Sequence, residues 1–391
     1  PVPTEAHSYD GWADVAWAAV EAAGDRLETV GEQVLVVVVP TRRLDVHEEI
    51  DLVEEVARSE GYDQIPELLP VLEASRGGRS PLAEEVLQAR RALAAAGLDE
   101  VMTQSLTHPR VYDKLRLPEG SPERHYLSLA NPLYEDRATL RTTILPGLLD
   151  TLHYNVNRQN RDLGVFEIAS VYRPEEGGQL PAEPRMLGLA MMGNQAPAAW
   201  NSPTEPADYY SLVGVVANLM DAMNIADWHV EGTSEHPALH PGRQAQLWVG
   251  GAPVGSLGEL HPAVQETWDL PSRVYVAELA FERLADAALP QREYGAVPRF
   301  PAVTRDVALV IEQDSPAARV AETIRGAGGD LVEDVTLFDL YEGEHVKPGH
   351  RSLAYRITYR AADRTLAEAE IEAVHGKVRT GLQDLGAELR S

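Results

Sequence analysis

The chain has 391 residues, 44% of them hydrophobic and 24% charged; this suffices for roughly two to four globular domains and excludes a disordered, fibrous or collagen-like chain. Cysteine is absent, which excludes disulfides, thiolate zinc sites and cysteine nucleophiles and makes a reducing cytoplasm the expected location. A net charge of −27 argues against a broadly basic nucleic-acid surface but leaves room for a local basic stripe.

Residues 11–24, GWADVAWAAVEAAG, have the apolar spacing of a helix, with Gly24 as a stop. The apolar run of residues 34–39 is far too short to span a bilayer and predicts a buried strand. No basic, apolar leader opens the chain, so neither export nor a membrane partner is expected, and Pro1 in place of an initiating Met suggests a piece of something longer. From Glu49 the pattern is helical, with Leu52, Val53, Val56 and Ala57 turned to a core. Asp51, Glu54 and Glu55 then share one face, and Asp45 precedes them. Four carboxylates without a basic partner would repel one another, and a hard cation with oxygen ligands would relieve this. A solvated acidic first turn, favoured by the helix dipole, accounts for the same spacing.

Residues 70–81, PVLEASRGGRSP, have linker composition, and a helix is expected from Pro81 to Ala96, ended by Gly97. The stretch from Asn131 to Pro174 holds an apolar-Arg-Thr triplet (Leu140, Arg141, Thr142), a helix-like run, and the strand pattern FEIASVYR ending at Arg173. The loop after Arg173, PEEGGQLPAEP, carries acids and no base, the wrong sign for a triphosphate. A strand from Met186 and a helix from Tyr209 to Met223 follow. His236, His240 and His261 could suggest a metal, but Pro237 and Pro241 break the helix that would align the first two, so turn-forming and hydrogen-bonded roles are expected. Val274 to Leu279 gives a last strand of this region.

From Pro298 the order is strand, helix, two strands, a helix from Leu366 and a short final strand, the β-α-β-β-α-β order of a ferredoxin-like fold. Within RSLAYRITYR, Tyr355, Ile357 and Tyr359 face one way and Arg356, Thr358 and Arg360 the other. Lys347, Arg351, Arg356, Arg360 and Arg364 form the densest positive stretch of the chain. Arg-rich strands beside aromatics suit single-stranded RNA, although an ordinary solvated sheet face has the same pattern.

Three segments together resemble the β subunits of bacterial phenylalanyl-tRNA synthetase. They are RLDVHEEIDLVEEVARSEGYDQIP, the Leu140-Arg141-Thr142 stretch with FEIASVYR, and FPAVTRDVALVI with LFDLYEG. The resemblance runs along nearly the whole chain and corresponds to the C-terminal half of such a subunit. It implies an α+β multidomain chain with a winged-helix-like module over residues 1–70, a non-catalytic class II synthetase-like antiparallel sheet domain over 81–290, and a ferredoxin-like anticodon-binding domain over 298–391. It further implies a Mg²⁺ held by Asp45, Asp51, Glu54 and Glu55, and an anticodon site of Tyr341, Asp339, Ser352 and Ala308, with Arg356 and Arg360 on the phosphates. The implied assembly is an α₂β₂ heterotetramer whose α subunit carries the catalytic groups and joins phenylalanine to its tRNA with ATP. A free-standing class II enzyme would need bases after Arg173. A regulatory protein joining a winged helix to a ferredoxin-like sensor would need a basic recognition helix, and the early helices are acidic, so DNA is not an expected partner.

Overall fold

A computed structural model describes residues 26–29, 35–39, 41–65, 67–68, 77–175, 177, 180–196, 199–201, 203–289, 294, 297–344 and 346–390. The helix expected over residues 11–24 and most of the expected linker lie outside these. The chain divides into two compact units, Pro1–Arg79 and Ser80–Ser391. Among the described residues no helix is long and apolar enough to cross a membrane.

In the first unit, β1 (Arg26–Thr29) pairs antiparallel with β2 (Leu35–Val38), and α1 (Glu49–Glu60) follows. The Asp51 carboxylate starts α1 by accepting from the backbone N–H groups of His47 and Glu48, at 2.7 and 2.8 Å, donors that a helix N-terminus leaves free. The helix buries Val56 and Glu55, while Val53, expected in the core, is 53% exposed. Its inner stripe is narrower than the apolar pattern suggests because Glu55 takes the place beside Val56.

The second unit opens with α2 (Pro81–Ala95), capped by the Ser80 hydroxyl, then β3 (Asp99–Glu100), β4 (Leu106–Thr107), α3 (Arg110–Lys114), β5 (Thr139–Leu140) and α4 (Leu145–Val156). After these come β6 (Leu163–Ser170), β7 (Arg185–Met192), α5 (Tyr209–Ala222), β8 (Trp228–Thr233), β9 (Leu239–Val249), β10 (Ala252–Leu260), α6 (Pro262–Thr267), β11 (Val274–Ala280) and α7 (Phe281–Ala287). The large sheet has the order β3-β6-β7-β11-β10-β9-β8 and is antiparallel except for the β3–β6 pair. Period-two alternation splits each central strand between two cores. Phe166, Ile168, Leu187 and Leu189 pack with α2, α5 and α7, whereas Val165, Met186, Ala190 and Met192 pack with α4. A sheet covered on both faces needs apolar residues at every position, which is why β7 reads MLGLAMM. Gly188 faces α4 so closely that a Cβ would lie 2.7 Å from Leu148 Cδ1. The glycine sets how near the helix can approach.

The remainder runs β12 (Val303–Glu312), α8 (Ala317–Gly328), β13 (Val332–Tyr341), β14 (His350–Tyr359), α9 (Glu368–Asp384) and β15 (Glu388–Arg390), in an antiparallel sheet ordered β13-β14-β12-β15. This is the expected ferredoxin-like topology. Val307, Leu309, Leu353, Tyr355, Ile357 and Tyr359 form its core with Val320, Ile324, Ile371, Val378 and Leu382 of the helices. The last long helix begins at Glu368 rather than Leu366, whose side chain is buried in that core.

Candidate nucleic-acid interface

The helices of the ferredoxin-like module cover one face of its sheet and leave the other open. On the open face the register forms cross-strand rows: Tyr341 beside Ser352, and Asp339 beside Ala354, which in turn pairs with Ala308. Four of the six residues expected at an anticodon site thus lie on two adjacent rows, and Arg356 lies one row further, opposite Thr336 and Asp306. Edge strand β13 carries the accessible rings, Tyr341 at 39% exposure and Phe338 at 49%. Phe338 sits at an irregularity in the register between Leu337 and Asp339, where the Arg356 guanidinium lies 5.0 Å from its ring centre. Ser352 is nearly buried, and Arg390 donates to its hydroxyl at 3.3 Å. Arg360 lies past the end of β14, held by Glu333 and the Phe300 carbonyl.

Two expectations are corrected here. Tyr355 and Tyr359, read beside the arginines as an RNA-facing pattern, are buried at 1%, and burial pushes their phenols up to about 12. Their hydroxyls meet the Ala317 carbonyl and His375 Nδ1, so neither ring is open to a base. Nor is the positive stretch a set of free charges. Arg356 makes a two-pronged pair with Asp306, at 2.9 Å for each contact, and Lys347 pairs with Glu388. Arg360 pairs with Glu333, Arg364 with Asp363 and Glu370, and Arg351 donates to the Ser315 carbonyl.

In the large sheet domain the Arg-Thr triplet is a sealed corner. The Arg141 guanidinium is buried against Glu167 at 3.1 Å and donates to Thr103 Oγ1 at 2.8 Å and the Ser170 carbonyl at 3.0 Å. Glu167 also accepts from the Thr103 amide and hydroxyl. Thr142 bonds the Tyr112 hydroxyl and the Glu123 carbonyl. Thr143 Oγ1 and the Ile144 amide each donate at 2.7 Å to Glu278 on β11, a half-buried carboxylate that sequence reasoning missed. Burial pushes Glu278 above the ordinary carboxylate range, against the pull of these two donors. Arg173 forms an isolated backbone bridge with Ala182, closing the loop whose acids argue against a triphosphate.

The four carboxylates of the first unit are arranged differently from the expectation. Asp45 and Glu55 do have a basic partner: Arg43 bonds Asp45 at 2.7 Å and also grips Glu55, whose second oxygen takes Arg58. The Arg43 contact holds Asp45 at about 2, well below the usual range, and lowers Glu55 as well. Asp51 is occupied with the helix start, and Glu54 is exposed while Glu55 is buried. Among the described residues no group of three or more His, Cys, Asp or Glu is placed to hold a metal ion. As arranged, this donor set does not fit Mg²⁺, because a guanidinium already holds the charge an ion would neutralise.

The histidines are not gathered into a metal site among the described residues. His240 Nδ1 accepts from the Gly242 amide and His261 Nδ1 caps α6 through Ala263, the expected turn roles. His236 Nδ1, by contrast, is buried without a partner among the described residues.

Two family models define the class. The tRNA synthetase B5 domain matches residues 18–62 and the ferredoxin-fold anticodon binding domain matches 298–390, so the chain is assembled from tRNA-synthetase modules. The model of the phenylalanyl tRNA synthetase beta chain CLM domain matches residues 65–281, more than half the chain, and the chain belongs to the phenylalanyl-tRNA synthetase β chain family. It is 60% identical to the phenylalanine–tRNA ligase beta subunit of Symbiobacterium thermophilum, over 100% of this chain and 46% of that one. The subunit from Moorella thermoacetica is 42% identical over 93% of this chain and 45% of its own, and that from Bacillus subtilis 36% over 91% and 44%. The chain therefore spans about half the length of the curated relatives it matches. Among solved structures, the pyrrolysyl-tRNA synthetase of Desulfitobacterium hafniense aligns with 52% of this chain and 67% of its own at 19% identity and a TM-score of 0.41.

Proposed function

We propose that this chain is the C-terminal part of the β subunit of a cytoplasmic phenylalanine–tRNA ligase, an α₂β₂ enzyme in which the α subunit carries the catalytic groups. The α subunit activates phenylalanine with ATP and esterifies it onto its tRNA, while this chain supplies a synthetase-like scaffold and grips the anticodon. Residues 1–70 act as a winged-helix-type module, 81–290 as the non-catalytic scaffold and 298–391 as the anticodon module. Supporting this are the family membership and the relatives' names. The buried Arg141 corner also leaves no guanidinium there for a substrate. Those same matches leave nothing to favour a winged-helix regulatory protein.

The observation that carries the anticodon reading is the open face where Tyr341 and Phe338 stay exposed on an edge strand. Part-exposed aromatic rings beside arginine suit stacking of unpaired bases. Tyr341 stacks one base, Asp339 and Ser352 meet base edges along with Ala308, and Arg356 and Arg360 position the backbone. Mg²⁺ at Asp45, Asp51, Glu54 and Glu55 requires Arg43 to leave.

The test is binding of the phenylalanine tRNA anticodon stem-loop beside a loop of altered anticodon. The cognate loop should bind more tightly, and Tyr341→Ala should weaken it by about 1–3 kcal/mol with the unfolding transition unchanged. Equal binding of both loops by both proteins removes the anticodon assignment.

A further inference from the structure

Where α4 meets β7, β10 and β11, the second unit forms a half-open pocket of about 150 Å³ lined in part by Glu123, Arg173, His236, Ser256 and Glu278. A dry, wholly apolar cavity of about that size accommodates benzene, so the space suits a molecule of roughly six non-hydrogen atoms. This one is polar, and its polar groups are not fully used within the chain. Each Glu278 oxygen takes one donor, from Thr143 or from Ile144, and a carboxylate oxygen can accept a second. His236 lines the wall as well, but its Nδ1 is closed off from the space and has no partner among the described residues, so it is not offered to a ligand. Glu123 lines the same wall, and among the described residues its carboxylate takes only the Ser121 hydroxyl. Across from these acceptors stands Arg173, with no carboxylate partner among the described residues.

Two carboxylates facing a guanidinium that has no carboxylate partner among the described residues is a pattern with a complement. An ammonium group has three N–H donors, and a carboxylate matches the guanidinium fork in two parallel hydrogen bonds. We propose that this pocket binds a small α-amino acid of the size of alanine, with its ammonium group on Glu278 and Glu123 and its carboxylate on Arg173. A phenylalanine-sized side chain exceeds the space. Binding requires neither tRNA nor a partner subunit, so its failure and that of the anticodon reading are separable.

The experiment is saturation-transfer NMR on this chain with L-alanine, beside propionate, which lacks the ammonium, and ethylamine, which lacks the carboxylate. L-alanine should show saturation transfer, and each half-ligand should bind at least about tenfold more weakly. Arg173→Leu, at an exposed position, should weaken L-alanine by about tenfold with an unchanged unfolding transition. Ser256→Leu, which fills the cavity opposite Glu278 in the strand register, should abolish the signal. The proposal is overturned by absence of transfer from L-alanine, by ethylamine binding as well as L-alanine, or by Arg173→Leu leaving binding intact.

Discussion

Arg141→Met tests whether the Arg-Thr corner is a lock of the fold. Both partners are inside, with Arg141 and Glu167 side chains at 6% and 3% exposure. Truncating one member of a buried ion pair costs about 3–5 kcal/mol, mostly from leaving the other charge unpaired. Here the lower end applies, because Glu167 keeps the Thr103 amide at 3.1 Å and the Thr103 hydroxyl at 2.6 Å. Three donor contacts, to Glu167, Thr103 and the Ser170 carbonyl, disappear with the guanidinium. Urea unfolding followed by circular dichroism should therefore show a loss of about 3 kcal/mol. Arg141→Met combined with Glu167→Leu should recover most of it, since removing both charges abolishes the desolvation penalty. A single-variant loss below about 1 kcal/mol, or a double variant no better than the single, refutes the reasoning.

Glu278 should give a pH signature. Its folded value lies above the ordinary 4.5, so the folded state holds the proton more tightly and its contribution is greatest below that value. The contribution fades as pH rises through the raised folded value; the stability difference between the wild-type chain and Glu278→Gln should narrow over that window in urea midpoints, and a constant difference contradicts the burial argument. For the carboxylates of the first unit, Arg43→Met should free Asp45 and one oxygen of Glu55 and strengthen Mg²⁺ binding measured by calorimetry; unchanged binding would show that the guanidinium does not occupy the ion's place. Anticodon stem-loop binding should also depend only shallowly on salt. Five free cations would give a log–log slope of about −3.5, and a measured slope near that value would mean the ion pairs open fully on binding.

What the sequence revealed and what it hid separate along one physical line. Periodicity is local, and the ferredoxin-like order from Val303 to Arg390 follows from period-two strands punctuated by Gly and Pro. Both faces of the large sheet are covered, and the run MLGLAMM, expected only to be a strand, is apolar at every position for that reason. Pairings across the fold were not legible. Nothing in Leu140-Arg141-Thr142 says that the guanidinium is taken by Glu167, or that Thr143 reaches Glu278 on the last strand of the sheet. Arg43 was overlooked because the carboxylate pattern was counted along the helix, while its neutralising charge stands in the segment before it. Phe338 was missed because an irregularity in β13 resets the alternation, and the same alternation, read correctly on β14, put Tyr355 and Tyr359 on the inner face without saying which face was inner.

The internal pairing of the basic stretch changes how an acidic chain can hold RNA. With a net charge of −27, long-range attraction to phosphate is absent, and the nearest cations already have carboxylates of their own. These pairs are partly exposed and so individually weak, and a phosphate can displace Asp306 from Arg356. Each exchange, however, leaves a carboxylate unpaired beside the incoming polyanion, which cancels much of the gain. Affinity must then come from groups indifferent to charge, and the open face has them in Tyr341 and Phe338. Arg356, already above the Phe338 ring, keeps its geometry whichever anion it holds. Such a surface disfavours RNA that offers only backbone and retains RNA that offers unstacked bases, and an anticodon loop offers those bases.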